Sequence, residues 1–116
     1  MEEIKPFEVV RPWGKFRQFS SNVVSSVKIH DVSPLGKSSL QSHGKRAEFW
    51  HIISGSGTVQ IDEKEHMAHA GDEFVVSQGM KHRWTGGPEG MKVLEIMTGD
   101  FVEDDEVRYD DKYGRA

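Results

Sequence analysis

Val27-Lys28-Ile29-His30-Asp31-Val32 alternates apolar and polar residues with a period of two, the signature of a half-buried β-strand whose successive side chains point to opposite faces. Its plain reading sends Val27 and Ile29 inward, and Lys28 and His30 to the surface. The turn residues Ser33-Pro34-Leu35-Gly36 close it. Working outward, the same short apolar runs recur at Phe16–Phe19, Ser38–His43, Glu48–Ile53, Gly57–Asp62, Glu65–His69, Glu73–Val76, His82–Thr85 and Met91–Thr98. They are separated by His43-Gly44-Lys45, Ser54-Gly55-Ser56-Gly57, Asp62-Glu63-Lys64, Ala70-Gly71-Asp72, Ser77-Gln78-Gly79 and Gly86-Gly87-Pro88-Glu89-Gly90. Short strands punctuated by Gly, Pro, Asp and Ser every eight to twelve residues or so indicate an all-β sandwich or barrel.

The 116 residues suffice for one domain with one core. Fifteen Lys+Arg against nineteen Asp+Glu give a net charge of −4, which argues against a nucleic-acid or anionic-membrane binder. The absence of cysteine excludes disulfides, thiolate zinc sites and a cysteine nucleophile. No apolar run is long enough for a membrane span, and Met-Glu-Glu-Ile-Lys does not begin like a signal peptide. The expectation is a soluble, cytoplasmic protein. The acidic run Glu103-Asp104-Asp105-Glu106 reads as a solvated turn.

Chemistry concentrates in Gln41-Ser42-His43-Gly44-Lys45-Arg46-Ala47-Glu48. Gln41 and His43 share one strand face. A turn over Gly44–Ala47 would let Glu48 face the same interior, and the Gly-punctuated segment Gly71-x5-Ser77-x-Gly79-x2-His82 could return a second imidazole. An amide oxygen, two imidazoles and a carboxylate suit Zn²⁺, Fe²⁺, Mn²⁺, Co²⁺ or Ni²⁺, and the lack of thiolate disfavours Cu(I). The same parity argument turns His51 outward, separates His66 from His69, and places Trp50 and Trp84 on the inward side as core or cavity residues.

These residues resemble the cupin superfamily. Its first motif, G-x5-H-x-H-x3,4-E-x6-G, is met by Gln41, His43, Glu48 and Gly55, and its second, G-x5-P-x-G-x2-H-x3-N, by Gly71, Gly79 and His82, with Ser77 for Pro and Gly86 for Asn. Gln in the first ligand position is similar to phosphomannose isomerases. Three blocks resemble the C-terminal isomerase domain of the type II mannose-6-phosphate isomerases, the bifunctional mannose-1-phosphate guanylyltransferase/phosphomannose isomerase family. They are Arg11-Pro12-Trp13-Gly14, Ser39-Leu40-Gln41-x-His43-x-x-Arg46-Ala47-Glu48-x-Trp50, and Glu103-Asp104-Asp105-x-Val107-Arg108-Tyr109-x-Asp111-x-Tyr113-Gly114-Arg115. The chain departs from the family pattern at Gly44, Lys45 and Phe49, where the family has His, and the family's Gly before the first motif falls at Leu35.

The resemblance implies a single cupin domain over residues 1–116, a double-stranded β-helix or jelly-roll barrel with its core at about 23–98, N-terminal strands within 7–20 and a C-terminal tail at 99–116 packing on it. It implies one divalent metal per chain, zinc ahead of manganese, cobalt, nickel or iron, held by Gln41, His43, Glu48 and His82. The implied activity is interconversion of mannose 6-phosphate and fructose 6-phosphate. Arg46 is the first candidate catalytic residue and Lys45 the second. Lys81 and Arg83 are candidate phosphate-binding residues, because with Lys45 and Arg46 they flank the ligands. The implied partner is a small-molecule sugar phosphate, and edge strands on a small barrel favour a homodimer. Two alternatives stay open on the same scaffold: an enzyme acting on a different sugar phosphate or small molecule, including an Fe(II) dioxygenase, and a non-catalytic sugar-binding protein.

Overall fold

The computed structural model describes residues 4–100 and 105–114. Strands β1 (Phe7–Arg11) and β2 (Gly14–Gln18) form an antiparallel hairpin, a two-stranded sheet of its own. The remaining strands are β3 (Ser25–Val32), β4 (Leu40–His43), β5 (Arg46–Ile61), β6 (Lys64–His69), β7 (Glu73–Val76), β8 (His82–Gly99) and β9 (Glu106–Asp110). They form a seven-stranded antiparallel sheet in the order β6-β5-β8-β4-β9, with β3 also paired to β8 and β7 to β5. This is the single-domain jelly roll that the turn spacing and the cupin-like motifs predict.

Two expected turns lie inside strands. Glu48–Ile53 and all of Gly57–Asp62 but its last residue are one strand, β5, and His82–Thr85 and Met91–Thr98 are one strand, β8. Register shifts between Ile52 and Ser54 and between Gly55 and Gly57 bend β5 where the sequence suggests a reversal. Gly55 pairs with Met91 and Gly57 with Gly86, so residues 87–90 bulge against Ser56. Gly inside a strand here marks a bulge and a close approach of backbones, not a hairpin. Gly55 has φ +78°, and a Cβ on Gly57 would collide with the Thr85 carbonyl oxygen.

The inner core is Trp50, Ile52, Val59, Ala68, Val76, Met91 and Val93, with Val32, Ile61, Phe74, Met80 and Trp84 packed against it. A second cluster, Ile4, Phe49 and Ile96 with Phe19 and Leu94, lies on the other face of β5 and β8. There the N-terminal segment covers the sheet, with the Phe19 ring 5.7 Å from that of Phe49.

One face assignment is corrected. In β3, Val27 and Ile29 are 58% and 59% exposed, whereas His30 is half-buried and bonded to the buried Glu95. The polar side of this strand faces inward because it lines a polar cavity, which reverses the usual sense of the alternation.

Candidate metal centre

The cavity encloses ≈ 140 Å³ and is lined by residues of β3, β4, β5, β8 and β9 together with Ser38. His43 closes β4, Glu48 sits near the start of β5 and His82 opens β8. All three are buried, and their donor atoms lie within 4.8 Å of one another. Glu48 Oε2 is 3.3 Å from His43 Nε2 and 3.4 Å from His82 Nε2. Gln41, the register partner of His82, lines the same cavity. Its amide N–H donates to Ser39 Oγ at 3.0 Å, which leaves the amide oxygen as an acceptor. The structure thus brings together all four residues named from the sequence.

Supporting contacts orient this set. The Trp50 indole N–H donates to Glu48 Oε1 at 3.0 Å. His82 Nδ1 lies 3.0 Å from the Met80 carbonyl, so it carries the proton that bonds there, and in the neutral ring Nε2 is the lone-pair nitrogen turned toward Glu48. Glu48 Oε2 is buried and accepts no hydrogen bond. A buried carboxylate oxygen without a donor, facing two imidazole nitrogens, fits a divalent cation, and the N,N,O set suits a borderline or hard ion.

The electrostatics agree. Burial pushes the His43 imidazole down, Arg46 and His82 add to this, and Glu48 opposes it; the result is about 4. His43 is therefore neutral near pH 7, as a ligand must be. Burial would raise the Glu48 carboxyl, but its polar neighbours, His82 first and then Glu95 and His43, hold it below the usual carboxylate range. Burial lowers His82, yet Glu48 and the Met80 carbonyl outweigh it and its pKa is raised. Glu48 thus favours the protonated form of His82, and a metal ion bound at His82 Nε2 would compete with that proton.

Arg46 is buried beside these donors. Its guanidinium donates to His43 Nε2 at 2.8 Å, and its Nε is 3.5 Å from Glu48 Oε2. The other expected site cations do not line the cavity. Lys45 is exposed in the β4–β5 turn, where its backbone N–H donates to Asp105 Oδ2. Lys81 Nζ packs 4.2 Å above the Tyr109 ring. Arg83, on the opposite strand face from His82, donates to the Ser38 carbonyl and pairs with Asp110 at 3.2 Å.

The departures from the family pattern also fall outside the lining. Gly44 is exposed and donates its N–H to Asp105, and Phe49 packs in the second cluster. Asp105 therefore has a bonding role in the acidic run, and Glu106 lines the cavity; Glu103 and Asp104 lie outside the described residues, as does Arg115.

Lys28, His30, Ser38, Trp84 and Glu95 complete the lining. Glu95 is 5% exposed, and His30 Nε2 lies 3.0 Å from its Oε1. Burial, then the hydrogen bond and charge of Glu48, raise the Glu95 carboxyl against the opposing effect of His30. Neither Glu95 nor His30 was named as a site residue from the sequence. The available signal was a single acid within the apolar run Met91–Thr98, since an acid there is rarely buried without a partner.

Comparison with known proteins agrees with the fold and the motifs. A family model described as mannose-6-phosphate isomerase C-terminal matches residues 2–111. The chain is 34% identical over 116 residues to a mannose-1-phosphate guanylyltransferase of Salmonella montevideo, covering 98% of this chain and 25% of that one. It is 33% identical over 111 residues to the alginate biosynthesis protein AlgA of Pseudomonas aeruginosa, covering 94% and 23%. The chain thus spans about a quarter of the length of the curated relatives it matches. A cupin protein from Bacteroides fragilis superposes with a TM-score of 0.60 at 20% identity, over 70% of this chain and 74% of that one.

Proposed function

Because this chain belongs to the mannose-6-phosphate isomerase C-terminal family, we propose that it is a metal-dependent aldose–ketose isomerase interconverting mannose 6-phosphate and fructose 6-phosphate. The observation that carries the reading is the buried His43–Glu48–His82 set with Arg46 against it in one cavity. Gln41, His43, Glu48 and His82 would hold one divalent ion, zinc first among the candidates. A bound ion of this kind supplies Lewis-acid polarisation of a carbonyl and its neighbouring hydroxyl.

The chain's own residues then have defined work. Isomerisation moves a proton between C2 and C1 through an enediol, so negative charge develops on oxygen and must be met by fixed donors. Arg46 is such a donor: its planar guanidinium lies against His43 and Glu48 at this end of the cavity, and with His43 bound to a metal ion the N–H that bonds there would be released to meet a substrate oxygen. Trp50 fixes the Glu48 carboxylate and the Met80 carbonyl fixes the His82 ring, so neither need reorganise during the reaction. Trp84 lines the cavity and packs against the inner core.

We include the homodimer in this proposal. The edge strand β3 presents exposed Val27 and Ile29, an apolar face that a second copy would cover.

A coupled assay of mannose 6-phosphate conversion, with chelator-stripped protein reloaded separately with Zn²⁺, Mn²⁺, Co²⁺, Ni²⁺ and Fe²⁺, tests the activity. Metal-restored turnover that is lost again on Arg46→Ala is expected. No turnover in protein that binds each metal would refute it. Metal-dependent oxygen consumption would favour an oxygenase, and saturable sugar-phosphate binding without product a binding protein.

A further inference from the structure

If the substrate is a sugar phosphate, its dianion needs a cation within reach of the cavity, and the strands settle which basic side chains are placed to serve. Lys45, Lys81 and Arg83 all lie outside the lining. Arg46 is buried on His43 and Glu48, at the end of the cavity where the sugar would react. Lys28, on the inward side of β3, is the lysine of the lining, and it is exposed, so it stands at the rim.

We propose that Lys28 is the cation that binds the phosphate of the substrate at the mouth of this cavity. The inference rests on the sugar-phosphate reading and assigns a residue that the sequence motifs do not. At ≈ 140 Å³ the cavity is smaller than the roughly 300–1,000 Å³ of pockets that enclose a drug-sized ligand. It therefore takes the sugar end of a hexose phosphate and leaves the phosphate at the opening. That division suits the chemistry: a phosphate dianion is costly to desolvate completely, and a rim lysine supplies charge while both groups keep water.

The position of Lys28 is also fixed. β3 is paired with β8 along its whole length, Ser25–Val32, and Lys28 is the register partner of Glu95. Two residues further on, His30 is held by Glu95 at 3.0 Å and packs 4.6 Å from the Trp84 ring, which stiffens the same wall. The other acid of the lining, Glu106, has its carboxylate engaged by Arg108 at 2.6 Å, which offsets its repulsion of an incoming anion.

The test measures binding directly, with the metal-loaded full chain and three probes: mannose 6-phosphate, mannose and inorganic phosphate, followed by calorimetry and ³¹P NMR. Lys28→Met should weaken mannose 6-phosphate and inorganic phosphate by about 10- to 100-fold, the range for one charge-assisted contact. Mannose binding and metal content should be unchanged, Lys28→Arg should retain most of the affinity, and Lys81→Met should stay within about twofold of wild type. Wild-type phosphate affinity in Lys28→Met would overturn the assignment, as would failure of the wild-type protein to bind inorganic phosphate. The two readings separate cleanly. Phosphate binding through Lys28 without conversion of mannose 6-phosphate sinks the isomerase and keeps the subsite. Turnover by Lys28→Met with an unchanged KM does the reverse.

Discussion

The Trp50 indole donates to Glu48 Oε1 and so turns Oε2 of the same carboxylate toward His43 and His82. Both residues lie on β5 with i, i+2 spacing, and the bond ties the inner core to the His43–Glu48–His82 end of the cavity. Trp50→Phe keeps most of the packing and removes the donor. Metal affinity should fall by about 10- to 100-fold, as for other ligand-orienting partners. The unsatisfied carboxylate oxygen should cost about 1–3 kcal/mol of stability. Competition with a chromogenic chelator and urea denaturation read the two effects.

His43→Ala and His82→Ala each delete one of the three clustered donors. Each should lose stoichiometric metal while keeping the β-sheet circular dichroism of the wild type. Full metal occupancy by elemental analysis in both variants would mean that the ion, if any, sits elsewhere.

How much of this was legible follows from strand parity. Gln41 and His43 could be grouped because i, i+2 spacing on a strand is a geometric statement, and Glu48 because the turn at Gly44–Lys45 is short, whereas His82 joined them only through the Gly-punctuated second motif. Lys81 and Arg83 flank His82 in sequence, but alternation alone puts Arg83 on the other face, and only the tertiary contact with Asp110 shows where it is held. His30 faces inward against the usual alternation because the inward-is-apolar rule fails on the wall of a polar cavity. The length of β5 and β8 was hidden for a related reason: Gly55, Gly57 and Gly86 look like turns in one dimension, whereas paired strands use them for bulges.

Acid should weaken the fold through His43. Its imidazole is held at about 4 by burial first and then by the neighbouring cations, against about 6.5 in an unfolded chain. Between these values the unfolded chain binds a proton that the folded one does not, so stability falls as pH drops from about 6.5 toward 4. His82 works in a separate window. Its raised value gives stability that is fully present below about 6.5 and is lost as pH rises through the folded value. His43→Gln should flatten the acid limb of metal-free protein in urea titrations at stepped pH. An unchanged slope would mean that another group governs that limb.

Leu35 occupies a position better suited to glycine. Its φ is +60°, inside a turn in which the Gly36 N–H donates to the Ser33 carbonyl at 2.8 Å. A left-handed conformation costs an L-residue about 1–2 kcal/mol, while the Leu35 side chain is 62% exposed and gains little from packing. Leu35→Gly should therefore stabilise the protein by about 1 kcal/mol after the entropic cost of glycine is subtracted. A lower thermal midpoint in that variant would contradict the account of the turn.

The most direct test of the isomerase reading is ¹H and ¹³C NMR of mannose 6-phosphate in D₂O with metal-reloaded protein. An enediol route predicts fructose 6-phosphate with solvent deuterium at the carbon that receives the proton, formed at a rate that drops by about 100-fold or more with Arg46→Ala. Stoichiometric metal with neither product nor deuterium exchange would contradict it.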